Sequence, residues 1–251
     1  VDIVLEVNAI TKQYKNGRGV RDIRFDIAKG DIFGLIGPNG AGKTTLLKII
    51  IGLIRPDHGS VTIFGNNTTD QFEQAMQQVG CMIETADAYE YLSAYDNLKL
   101  SARFYPELPK TRIDDVLEQV GLAPYKKERV NGFSLGMKQR LGLASALLSK
   151  PKLVILDEPT NGLDIEGIVN FRNTIQQLAR VHGITFLISS HMITELSLIV
   201  NRIGIMQNGQ MIRVGGVDEL VKPGIRLEQY IVSQLHTSME GDHDDHRKYI
   251  K

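Results

Sequence analysis

Gly37-Pro38-Asn39-Gly40-Ala41-Gly42-Lys43-Thr44 sets the architecture of this chain. It follows Asp31-Ile32-Phe33-Gly34-Leu35-Ile36, which reads as a buried strand, and opens a segment, 43–52, whose apolar residues have helical spacing. A Gly-x-x-x-x-Gly-Lys-Thr run between a strand and a helix is a phosphate-cradling loop. Phosphate oxygens are held best by converging backbone N–H groups. That needs a tight curl free of Cβ atoms, which Gly37, Gly40 and Gly42 permit. The N-terminus of the following helix adds partial positive charge. Lys43 is placed to reach the β- and γ-phosphates of a nucleoside triphosphate, and the Thr44 hydroxyl to bind Mg²⁺. Pro38, Asn39, Ala41 and Thr45 complete the expected nucleotide contacts.

A second apolar strand, Leu153-Val154-Ile155-Leu156, ends in Asp157-Glu158. Alone, this pair before Pro159 could be a solvated acidic turn. Beside a phosphate loop, Asp157 can orient hydrated Mg²⁺ and Glu158 can polarise an attacking water as general base. Further out, residues 3–7 and 20–27 read as early strands, 59–65 as another, and 184–188 as a buried one. Residues 203–206 and 210–214, joined by Asn208-Gly209, read as a hairpin. Segments 96–104, 111–120 and 135–148 have helical spacing, punctuated by Gly121, Pro124 and Gly132. Buried apolar strands alternating with helices make an α/β fold with a mainly parallel core sheet, here with a helical subdomain inserted at about 86–150. The tail from 224 to 251 is weakly patterned. Its histidines, His236, His243 and His246, are too scattered to suggest a metal site.

Composition sets the limits. A chain of 251 residues fits one large domain or two small ones. Lys+Arg and Asp+Glu each number 29, so no global basic face points to nucleic acid. The single cysteine, Cys81, excludes an internal disulfide framework and reads as a small core residue within Val79-Gly80-Cys81-Met82-Ile83. The beginning shows no basic region followed by an apolar stretch, and no window approaches the roughly 18 apolar residues of a membrane span. A membrane function would need a partner chain.

Phe133-Ser134-Leu135-Gly136-Met137-Lys138-Gln139-Arg140, upstream of Asp157, would by itself be a Ser-capped helix start. With the two motifs above it resembles the signature of the ABC-type ATPases, usually written LSGGQ. Asn161-Gly162-Leu163-Asp164 resembles that family's D-loop, His191 its switch histidine, and Tyr14 the aromatic that stacks on adenine. The resemblance covers roughly residues 3–222. It implies a P-loop NTPase of the ABC ATPase type, with an N-terminal antiparallel β subdomain, an ATPase domain over 1–223 and an extension over 224–251. It also implies catalytic roles for Lys43, Glu158 and His191, with ATP and Mg²⁺ as ligands. Ser134 and Gly136 are then expected to contact the γ-phosphate of ATP held by a second subunit, a copy of this chain or a close paralogue. The expected location is peripheral, on the cytoplasmic face of the cell membrane, beside an integral-membrane permease.

One position departs from the family pattern. Where a glutamine usually ends the strand after the nucleotide-binding helix, this chain has Glu84. Glutamate has the same reach but brings full charge and no N–H donor, so it is expected to bind the metal with Thr44 and Asp157. Glu84 with Tyr89-Glu90-Tyr91-Leu92-Ser93-Ala94-Tyr95-Asp96-Asn97-Leu98 resembles the bacitracin-export and lantibiotic-immunity branch. The implied function is an exporter ATPase acting against peptide antibiotics, with permease docking near 84–98 and the helical subdomain. The alternatives are an exporter of another drug, lipid or ion, and a soluble ABC ATPase acting on ribosomes or DNA.

Overall fold

The computed structural model describes residues 2–84 and 88–245, the side chains of 238–245 excepted. The end of the tail with His246, the His243 side chain and part of the expected docking segment, 85–87, lie outside the described residues.

Among the described residues the strands form two sheets. β1 (Ile3–Gln13), β2 (Gly19–Ala28), β4 (His58–Ile63) and β5 (Asn66–Asn67) make an antiparallel sheet in the order β2-β1-β4-β5. The core sheet runs β10-β9-β3-β8-β7-β6. Its strands are β3 (Ile32–Ile36), β6 (Val79–Met82), β7 (Leu153–Asp157), β8 (Thr185–Ser190), β9 (Arg202–Gln207) and β10 (Gln210–Gly216). Each neighbouring pair is parallel except β10 on β9. This is the α/β architecture, mainly parallel with an antiparallel β subdomain, expected from the sequence.

The apolar runs that mark these strands bury both faces of the sheet. In β7, Leu153 and Ile155 pack with α1 (Lys43–Ile50) and the antiparallel sheet, whereas Val154 and Leu156 pack with the helices of the opposite face. A short helix, α2 (Phe72–Met76), leads into β6. Between β6 and β7 in the chain come α3 (Ala94–Ala102), α4 (Arg112–Gln119) and α5 (Leu135–Leu147), which pack on one another. The buried Arg112 guanidinium donates to the carbonyls of Leu147 and Leu148, satisfying the end of α5. α6 (Ile165–His182), α7 (Ile193–Leu196), α8 (Val217–Leu220) and α9 (Leu227–Asp245) complete the helices.

None of these four was read from the sequence, nor was α2. Nothing was assigned between Asp164 and Ile184, yet α6 is the second longest helix. Asp164 caps it by accepting from Gly167 N at 2.9 Å, Gly183 ends it at φ +64°, and it buries Ile168, Phe171, Ile175 and Leu178 on one face. α9 occupies the unpatterned tail. Leu227 and Ile231 anchor it in the main core, with Tyr230 and Leu235 packed against them. Cys81 was expected in the core and is exposed instead. It shares the face of its partner Ile155, but β6 is the sheet edge, so no further strand covers that side.

Gly80 on the same strand meets α5 without any side chain between them. A Cβ there would stand 2.1 Å from the Ala146 carbonyl oxygen, a backbone atom that cannot rotate aside. Gly80→Ala is therefore expected to destabilise the fold by about 2–3 kcal/mol. Gly132→Ala, whose Cβ would meet nothing within 4 Å, should stay within about 0.5 kcal/mol. Urea denaturation of the two variants gives the comparison, and equal stabilities would contradict the close contact.

Candidate nucleotide-binding site

The phosphate loop, Glu84, Asp157, Glu158 and His191 lie at or just past the carboxyl ends of parallel strands, where α/β sheets open towards ligands. β3 leads into residues 37–42 and α1. Gly37 lies so flat against β9 that a Cβ would come within 2.2 Å of the Met206 carbonyl oxygen. Gly42 turns the chain into α1 at φ +100°, with Val20 crowding the space a side chain would need. No side chain caps α1 and no acidic residue sits in its first turn, so its leading N–H groups face the loop. The loop walls a cleft of about 490 Å³ lined by Tyr14, Asn39–Thr45, Lys48 and Glu158, among others.

Lys43 is buried at the base of this cleft. Its Nζ donates to the carbonyls of Gly37 at 2.7 Å and Pro38 at 3.2 Å, and pairs with Glu158 Oε1 at 3.0 Å. Glu158 stands just past β7 in the left-handed region, at φ +47°, an uncommon conformation for a residue with a Cβ. Its other oxygen, Oε2, accepts from His191 N at 3.2 Å and lies 2.7 Å from His191 Nδ1, which must carry the proton of that contact. Lys43 and His191 thus hold one carboxylate from two sides. Asp157 is buried beside it and accepts from Ser189 Oγ at 2.6 Å, while Ser189 Oγ itself accepts from Glu158 N at 2.9 Å. Ser189 ties the two acidic residues to β8 and was missed in the sequence. Its signal was a pair of hydroxyls, Ser189-Ser190, ending an otherwise apolar strand.

Glu84, two residues beyond β6, also adopts the left-handed region, at φ +67°. Its exposed carboxylate pairs with Lys48 Nζ at 2.5 Å. Ser134 and Gly136 are not brought to this cleft. Ser134 Oγ accepts from Met137 N at 3.3 Å as the cap of α5, and Gly136 lies by Leu163 and Gly167.

These residues fit a magnesium nucleotide. The loop has the cradle that side chains would fill, and Thr44 and Asp157 offer hard oxygen donors. Among the described residues no three His, Cys, Asp or Glu side chains form a metal cluster.

A family model described as ABC transporter matches residues 20–161. The chain is 40% identical over 232 residues to the bacitracin transport ATP-binding protein BcrA of Bacillus licheniformis, covering 92% of this chain and 75% of that one. It is 39% identical over 209 residues to the lantibiotic transport ATP-binding protein SrtF of Streptococcus pyogenes, covering 83% and 89%. Among solved structures, cbiO1 of Clostridium perfringens, part of the ABC transporter complex cbiONQ, superposes with a TM-score of 0.79 at 26% identity, covering 87% and 90%. A strand-to-helix phosphate cradle, a carboxylate held by lysine and histidine, and these likenesses converge: the chain belongs to the ABC transporter family, as an ATP-binding and ATP-hydrolysing subunit.

Proposed function

We propose that this subunit hydrolyses ATP to drive a separate membrane permease that removes peptide antibiotics, of the bacitracin or lantibiotic kind, from the membrane. The observation that carries the reading is Glu158, held between Lys43 and His191 at the wall of a glycine-built cleft. In this reading the backbone N–H groups of the loop and the Lys43 ammonium hold the phosphates, and Tyr14 lies against the adenine. Thr44 and Asp157, joined by Glu84, hold Mg²⁺, which when bound neutralises charge on the phosphate oxygens. Glu158 takes a proton from water as the water oxygen bonds to the γ-phosphorus and the bond to the β-phosphate oxygen breaks, leaving ADP and phosphate. His191 keeps the carboxylate oriented and reaches towards the γ-phosphate. Ser134 and Gly136 lie away from their own cleft, which supports their completing the cleft of a second subunit, a copy or close paralogue. The relatives named for bacitracin and lantibiotic transport, together with Glu84, support the choice of cargo.

Among the described residues no helix is long and apolar enough to cross a membrane. In this reading the chain sits peripherally on the cytoplasmic face, held by its permease and independent of nucleic acid. The docking place is a cleft of about 320 Å³ just past Glu84, bounded by Cys81, Met82, Tyr89, Leu98 and Leu141. The exposed Cys81 is the chain's only cysteine, so thiol labelling reports on this cleft alone. Expression with and without the permease tests the proposal. Membrane association, peptide resistance and protection of Cys81 from a maleimide should all require the permease. Association with ribosomes in the permease's absence, with no gain in resistance, would replace this reading with a soluble one.

A further inference from the structure

Glu84 poses an electrostatic problem that its own position does not solve. Asp157 and Glu158 already bring two carboxylates to the cleft, and a bound triphosphate brings more negative charge. A third carboxylate at 84, where the family usually has a neutral amide, would oppose nucleotide binding unless something balances it. The structure supplies a cation. Lys48 lies on α1, five residues beyond Lys43, and its Nζ is 2.5 Å from Glu84 Oε1. Lys48 also lines the nucleotide cleft. One side chain therefore both borders the nucleotide cleft and holds the glutamate.

The pair is too exposed to be a structural staple. The Glu84 side chain is 61% exposed and that of Lys48 25%, and ion pairs open to solvent contribute little to stability. A weak pair beside an anion-binding cleft is easily exchanged. Glu84 also sits in a left-handed conformation that few residues with a Cβ adopt. The contact its side chain makes there is with Lys48.

We propose that Lys48 is a positioning residue for Glu84: it balances the glutamate's charge beside the empty cleft, and yields the carboxylate to the metal when a magnesium nucleotide enters. The inference rests on the reading of Glu84 as a metal-site residue. It makes Glu84 and Lys48 a functional unit, so that the effect of changing one depends on the other.

The test is a double-mutant cycle read by binding rather than turnover. Anisotropy of a fluorescent ATP analogue is measured across a Mg²⁺ titration and in EDTA, for the unaltered chain, Lys48→Met, Glu84→Gln and the double variant. Lys48→Met should weaken binding about fivefold in the Glu84 chain, the scale of an exposed ion pair. In the Glu84→Gln background it should change binding less than about twofold, because no carboxylate is left unbalanced. Lys48→Arg, which keeps the charge, should bind as the unaltered chain does. Equal effects of Lys48→Met in both backgrounds, with Glu84→Gln still shifting the Mg²⁺ dependence, would overturn the pairing while leaving Glu84 at the metal. A Glu84→Gln variant whose Mg²⁺ dependence is unchanged would overturn the reading of Glu84 and the pairing with it. All five chains should share one far-ultraviolet dichroism spectrum, which separates these outcomes from misfolding.

Discussion

Lys43→Ala should abolish ATP turnover and weaken ATP binding by about a hundredfold or more, the scale of losing two charge-assisted hydrogen bonds. The reason is visible without nucleotide. The ammonium is buried at the base of the cleft, where its partners are two loop carbonyls and Glu158. Alanine would leave phosphates facing those carbonyls and a carboxylate with no cation among them. The repulsion that remains should cost as much as the attraction lost. Isothermal titration with ATP and a phosphate-release assay check the two parts separately. Full ATPase activity in this variant would contradict the role given to the loop.

The second large effect concerns Glu158. Glu158→Gln keeps the size of the side chain and an oxygen able to accept from His191 N, but removes the group that takes a proton from water. Hydrolysis should fall by about 10²–10⁴-fold, the usual contribution of a general base, while ATP binding is kept. If Ser134 and Gly136 complete a partner's cleft, a subunit that binds but does not hydrolyse should accumulate as a dimer in ATP and Mg²⁺, seen by size-exclusion chromatography. Wild-type turnover would remove Glu158 from the mechanism. A slow variant that stays monomeric with its permease present would remove the shared cleft.

What could be read from the sequence divides along physical lines. The loop of residues 37–44 and the Asp157-Glu158 pair were legible because local rules produce them: an apolar run for a doubly buried strand, then residue types with few other uses. The hairpin of β9 and β10 was legible from Asn208-Gly209 for the same reason. α6 carried its own signals, an Asp cap, a Gly stop and an Ile-Phe-Ile-Leu stripe, and was passed over beside the stronger motifs. α9 carried a fainter one, Leu227, Tyr230, Ile231 and Leu235 at helical spacing, and was passed over among the polar residues around it. The exposure of Cys81 could not be read, because being an edge strand is decided by the order of strands in the sheet and not by the strand's own composition. The same holds for the site's partnerships. Ser189 reaches Asp157 across neighbouring strands, and Lys48 reaches Glu84 over 36 residues of chain. Neither pairing leaves a periodic trace.

The bare contact at Gly80 has a mechanical side. Strand β6 and helix α5 touch backbone to backbone, with no side chain to act as a cushion or bearing. Four residues on, just past the end of the strand, lies Glu84. At the helix's opposite end, roughly 18 Å from Ala146 at 1.5 Å per residue, lies Ser134. Bare backbone contact leaves little slack between the two elements at this point. A bulkier residue at position 80 would do more than loosen the fold: it would part the strand that leads to Glu84 from the helix that Ser134 caps.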